Sequence, residues 1–203
     1  MNTTRRRSNQ KTKKLALTSI LTALIVVMAF TPIGYLKVGA LSITFIPIPV
    51  AIGAIAGGSA CGAILGAVFG ITSLIQCFGL DPFGTTLMSI NPIFTVILCI
   101  IPRILMGLIT GLIFKVLSGR LKNSIVTYGI SAFSGGFFNT VFFVTFLILL
   151  FSNTSIFQDY GGNIPAIISS LVTINAVVEW VACLFLGTAV TKAISSILNK
   201  ASK

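Results

Sequence analysis

Apolar residues fall in six long blocks, at about 14–34, 43–57, 59–78, 92–117, 124–151 and 165–190, the last trailing as a more polar helix toward 198. A helix needs roughly 20 apolar residues to cross about 30 Å of hydrocarbon, and most of these blocks have that length. The second block is short and carries Pro47 and Pro49. It is expected to be irregular or buried against protein, because lipid cannot satisfy a broken backbone. No polar stretch is long enough to fold alone. The pattern therefore predicts an all-α membrane protein: a basic segment over 1–14, one six-transmembrane-helix bundle over 15–198, and a short tail over 199–203.

Charge placement orients the bundle. The 203 residues include 14 Lys and Arg against 3 Asp and Glu, with no His. Six of the basic residues (Arg5, Arg6, Arg7, Lys11, Lys13, Lys14) precede the first block. With the N-terminus inside, Lys115, Arg120, Lys122, Lys192, Lys200 and Lys203 also fall on the inner side, leaving Lys37 outside and Arg103 within a helix. That asymmetry predicts an even number of spans with both termini cytoplasmic, in a multi-pass protein of the cell membrane. The same placement argues against a nucleic-acid partner, since no basic surface interleaved with aromatics is visible. The first block lacks a small-residue cleavage site after it, so it is expected to be a retained helix and not a signal peptide.

Small residues suggest how the helices pack. Gly58, Gly62, Gly66 and Gly70 repeat every four residues in the third block and mark a close helix contact, expected to be internal. Gly107 and Gly111 form a similar pair, and Ser19 and Ala23 a weaker one on the first helix. Cys61, Cys77, Cys99 and Cys183 lie in or beside apolar runs without a CxxC pair, so core packing is expected and no metal site or cofactor. The stretches 79–91 and 152–164 are polar, carry Asp81 and Asp159, and are expected as outer loops, either simple connectors or covers over a cavity.

Polar side chains inside the membrane are costly and need a reason. Arg103, Asn139, Asn175 and Glu179 are the outstanding ones. Counted from the outer helix ends at 1.5 Å per residue, they lie about 15–21 Å deep, at a common level. Asn175 and Glu179 are four residues apart and share a helix face. Trp180 neighbours that face. Asn91 stands at the entrance of the fourth helix, and Gln76 near the outer end of the third could meet a ligand from above. Tyr35 in the first outer loop suits an interfacial anchor. Two arrangements are open. Arg103 and Glu179 pair and merely hold helices together, or Glu179 orients Arg103 toward a small anionic ligand that also meets the asparagines.

Catalytic signatures are absent from the sequence: there is no Walker A pattern, no GxSxG and no histidine. The chain is not expected to be an enzyme, and uptake would draw energy from a partner or an ion gradient. A small homodimeric secondary transporter or channel for a polar metabolite is the alternative reading. A membrane-embedded enzyme is disfavoured by the presence of only three acids.

The runs ITFIPIPVAIGAIAGGSACGAILGAVFGITSLIQCF (43–78) and NPIFTVILCIIPRILMGLITGLIFKVL (91–117) carry a family likeness. The chain resembles, over nearly its whole length, the substrate-binding membrane subunit (S component) of an energy-coupling factor vitamin transporter. The segment PRILMGL most resembles pantothenate-type subunits. The resemblance implies a six-helix bundle holding a vitamin near the outer face, with loops closing over it. It also implies a transmembrane scaffold subunit and two ATPase subunits as partners, and toppling in the membrane to release cargo inward. Family members meet the scaffold through an Ala-xxx-Ala pattern on the first helix. Ser19 here replaces the first alanine, and Ala23 matches the second.

Overall fold

In the computed structural model, the described residues are 2–32, 34–38, 41–121, 123–152, 154 and 174–200. The elements run α1 (Asn2–Ala29), β1 (Tyr35–Val38), β2 (Leu41–Thr44), α2 (Pro47–Gly57), α3 (Ser59–Gln76), α4 (Pro82–Ile90), α5 (Pro92–Arg120), α6 (Ser124–Phe151), α7 (Ile174–Ala182), a π-helical turn (Cys183–Gly187) and α8 (Thr188–Lys200). Among the described residues, five helical stretches are long and apolar enough to cross a bilayer: Thr12–Ala29, Ser59–Gln76, Pro92–Arg120, Ser124–Phe151 and Ala176–Ile194. Leu15, Ile20, Val27, Leu149 and Phe185 stand exposed on them, as side chains solvated by lipid do.

The short second block becomes α2, whose 11 residues rise only about 16 Å. Ten of the 11 are buried, because α1, α3, α5 and α6 surround the helix. Pro47 and Pro49 fall in its first turn, where the missing N–H groups have no helical acceptor to lose. The prolines thus start the helix and do not break it. Gly58, at φ 96°, turns the chain from α2 directly into α3. Only glycine adopts that backbone without strain. Gly58 therefore stands apart from the small-residue repeat that follows it.

That repeat packs α3 against α5, antiparallel and backbone to backbone. A Cβ at Gly62 would overlap the Gly107 carbonyl oxygen, one at Gly66 the Arg103 carbonyl oxygen, and one at Gly70 would lie 2.9 Å from the Cys99 carbonyl oxygen. Gly107 and Gly111 return the favour against Gly62 and Ser59. The internal role expected for the glycines holds, and it fixes which residue of α5 faces which residue of α3. α1 runs alongside α3 in the same direction: Thr18 touches Cys61 at 3.1 Å near one end, and Gln76 donates to the Ala29 carbonyl at the other.

Two features depart from the expected elements. Between α1 and α2, β1 and β2 form an antiparallel ladder pairing Tyr35 with Thr44 and Val38 with Leu41, where only a loop was expected. The β-branched and aromatic residues of this stretch suit a strand. The stretch 79–91, expected as a loop, contains α4. Asp81 accepts from the Gly84 amide at 2.7 Å, and Pro82 occupies the first helical position, so the start signal is in the sequence. Leu87 of α4 packs with Leu98, Leu147 and Phe151, covering the ends of α5 and α6. Most of the loop expected over 152–164 lies outside the described residues. The four cysteines are free and buried, as core residues.

Along α7 and α8, Glu179, Cys183, Gly187 and Thr191 are all buried. A spacing of four drifts about 40° per step around an α-helix. The π-helical turn between them is wider and takes up part of that drift, keeping all four toward the bundle.

The α3–α5 contact makes a prediction. Gly66→Ala should lower the thermal midpoint of the purified protein, with a loss of about 1–3 kcal/mol from overpacking. Gly119→Ala, with nothing within 4 Å of its added methyl, should be neutral. Equal midpoints for the two variants would mean that the backbones are not in contact.

Candidate functional site

Arg103 emerges from the middle of α5 and is 8% exposed. It follows Pro102, which sits inside the helix without an N–H to donate. A proline at 102 leaves the carbonyl four residues earlier, that of Leu98, without its helical donor. The Arg103 side chain runs back toward the helix N-terminus, as helical side chains do, and Nη1 donates to the Leu98 carbonyl at 2.7 Å. The guanidinium carbon lies over two rings, 5.5 Å from the centroid of Phe69 on α3 and 4.7 Å from that of Phe143 on α6. Cation–π contact with the two rings offsets part of the cost of taking the charge out of water. Nε is buried with no hydrogen-bond partner among the described residues.

Asn139 lies four residues before Phe143, on the same face of α6. It is 5% exposed, and its Nδ2 donates to Oε1 of Glu179 on α7 at 2.9 Å. Glu179 is itself 6% exposed. Asn139 Oδ1 is buried without a donor among the described residues. Phe69, Arg103 and Phe143 thus make one buried group and Asn139 with Glu179 another, and the four-residue step from Asn139 to Phe143 on α6 sets the two in one layer drawn from α3, α5, α6 and α7. Two of its polar atoms, Arg103 Nε and Asn139 Oδ1, have hydrogen-bonding capacity that the described residues do not use. A buried donor and a buried acceptor in one layer suit a small ligand that carries both an anionic group and an N–H or O–H.

Arg103 and Glu179 do not form the ion pair that was one of the two expected arrangements. Glu179 takes its hydrogen bond from Asn139, while a backbone carbonyl and two rings hold Arg103. Among the described residues no carboxylate comes within ion-pair distance of the guanidinium.

Three other expected site residues have structural partners. Asn91 caps α5, accepting from the Phe94 amide at 3.1 Å, and stands 12 residues from Arg103, about 18 Å along the axis. Gln76 ties α3 to the end of α1. Trp180 donates to Thr140 Oγ1 at 3.2 Å and packs on Phe133 and Phe137, beside the layer and not in it. The side chain of Asn175 lies outside the described residues, although its backbone is in α7, four residues before Glu179. Ser19 and Ala23 are exposed on α1, away from the core side formed by Leu21 and Ile25.

Phe69, Phe143 and the Leu98 carbonyl escaped the sequence reading. The rings carry no signal separate from the apolar runs that contain them. The carbonyl does carry one: a proline inside a helical run exposes the acceptor four residues upstream, and an arginine directly after it can reach that acceptor.

A helical bundle with a lipid-exposed rim and a polar layer buried between four helices defines a multi-pass membrane protein of the solute-binding kind. Residues 13–191 match the family model of the ECF transporter substrate-specific component. The chain belongs to that family, and it is a transporter component and not an enzyme. Two relatives are similar over most of their length. Pantothenate transporter PanT of Leuconostoc mesenteroides subsp. mesenteroides is 30% identical, covering 96% of this chain and 98% of that protein. Pantothenic acid transporter PanT of Lactococcus lactis subsp. cremoris is 29% identical, covering 77% and 79%.

The Asn139–Glu179 hydrogen bond predicts a contrast. Asn139→Ala leaves a buried carboxyl oxygen without its donor and should cost about 1–3 kcal/mol of stability. Glu179→Gln keeps an acceptor oxygen for Asn139 and should shift the thermal midpoint much less. The reverse order in a melting comparison would mean that the two side chains do not bond as described.

Proposed function

We propose that this chain is the high-affinity capture subunit of an ECF-type importer and that its cargo is pantothenate. The observation that carries the reading is a buried guanidinium with no carboxylate within ion-pair distance among the described residues, lying over the Phe143 ring one turn along α6 from Asn139, a buried amide whose oxygen those residues leave unused. Pantothenate has the matching groups: a carboxylate for Arg103, and an amide and hydroxyls for Asn139, Asn175 and Glu179. The similarity to two PanT proteins supports the same cargo. Asn91, Gln76 and Trp180 serve the site by holding its frame.

The six-span topology belongs to this proposal. The five long stretches are joined by a return pass between the parallel α1 and α3 that the short, protein-buried α2 makes only in part, giving six passes with both termini in the cytoplasm, where twelve of the fourteen basic residues fall. The chain carries no ATP-binding motif. Release inward is therefore driven by two partner ATPases through a transmembrane scaffold subunit. The exposed strip of α1 containing Ser19 and Ala23 is the surface offered to that scaffold, since two small residues four apart let another helix approach closely.

Mass spectrometry of small molecules released from the purified protein should find pantothenate. Arg103→Ala should weaken pantothenate binding by at least about 30-fold in a titration, in line with 2–5 kcal/mol for removing one partner of a buried charge contact. Wild-type affinity in that variant would take Arg103 out of the site. Replacing both Ser19 and Ala23 with Leu should leave that affinity intact and abolish uptake in cells that supply the energising subunits. Full uptake by that variant would move the docking surface elsewhere.

A further inference from the structure

We infer that Pro102 is a positioning residue for ligand recognition: by withholding a backbone N–H it frees the Leu98 carbonyl to hold Arg103 Nη1, which turns the Nε–Nη2 edge of the guanidinium toward the ligand carboxylate. The inference rests on the role proposed above for Arg103 and adds how that residue is aimed.

The geometry follows from helix chemistry. In an unbroken helix the Leu98 carbonyl would accept from the N–H of residue 102, and a guanidinium would compete for an acceptor already in use. Proline removes that competitor. The following residue is an arginine whose side chain runs back along the helix, and the 2.7 Å contact to Leu98 is the result. A guanidinium has five N–H donors in a rigid fork. Fixing Nη1 on a backbone acceptor, with the Phe69 and Phe143 rings 5.5 Å and 4.7 Å from the guanidinium carbon, restricts the rotation of the rest. The Nε–Nη2 edge makes no hydrogen bond among the described residues, and two parallel N–H groups on one edge match a carboxylate. The aim is set by the main chain and not by Glu179, which is engaged with Asn139.

The experiment compares Pro102→Ala, Pro102→Ser and Arg103→Ala with the wild-type protein, in titrations with pantothenate and with its neutral alcohol analogue, pantothenol, alongside thermal midpoints without ligand. Both Pro102 variants should bind pantothenate about 10- to 100-fold more weakly, the range of a charge-assisted hydrogen bond, with pantothenol affinity changed by less than about threefold. Their thermal midpoints should be unchanged or higher, because a proline is removed from a helix interior. Unchanged pantothenate affinity in both, with binding lost in Arg103→Ala, would overturn the role of Pro102 and leave the cargo assignment standing. Equal weakening for acid and alcohol, with lower midpoints, would also overturn it, since Pro102 would then be shaping the helix at large. Wild-type affinity in Arg103→Ala would overturn both the inference and the site on which it rests.

Discussion

The contact between the backbones of α3 and α5 determines where everything else in the layer can be. Helices approach this closely only where both surfaces lack side chains, and Gly62, Gly66, Gly70, Gly107 and Gly111 provide that. Because Gly66 faces the Arg103 backbone, Arg103 cannot be displaced along α5 without driving a side chain into α3. Phe69 is three residues beyond Gly66, on the neighbouring part of the same surface, and this places its ring against the guanidinium. A packing rule in the lipid-embedded part of the chain thereby becomes a positional rule for the buried charge of α5.

That charge is stabilised in an unusual currency for a buried arginine. A carboxylate partner would neutralise it, and the chain has one within the bundle, Glu179. The pairing that forms is Asn139 with Glu179, so the guanidinium draws on a carbonyl dipole and two ring faces. Dipoles and quadrupoles lower the cost of burial without cancelling the positive potential, whereas a salt bridge would cancel most of it. Positive potential in a low-dielectric layer would favour an anion, and the Asn139 oxygen that the described residues leave unused would favour a donor, so the proposed site suits a molecule carrying both. Neither preference would survive an Arg103–Glu179 ion pair.

The helices were legible in the sequence because lipid imposes a length and a hydropathy that few other environments do. The bounds expected for the third and fifth blocks fall within two residues of α3 and α6. The residues of the layer were legible for the opposite reason: Arg103, Asn139 and Glu179 are polar where polarity is expensive. Their pairing was not, because depth along a helix can be counted but azimuth between helices cannot. Trp180 shows the difficulty. It adjoins Glu179 in sequence, yet a single step around the helix turns it toward Phe133 and Phe137. α4 was missed for a different reason, the weight given to polarity over the Asp81–Pro82 start signal, which local capping chemistry would have recovered.

An arginine held by its own backbone also bears on release. A site that depended on the ligand to neutralise a naked charge would bind tightly and resist letting go, because departure would strand that charge in a dry interior. The Leu98 carbonyl and both rings are contacts Arg103 makes within its own chain, separate from the edge proposed for a carboxylate. On the proposed function, the ligand's contribution would be limited to the interactions of that edge and of Asn139, not the whole burial cost of the guanidinium. Capture of an anion and its later surrender to a partner would place opposing demands on one residue. Dividing the support of Arg103 between main chain, aromatic rings and cargo would meet both, because only the cargo's share would have to be broken when the molecule leaves.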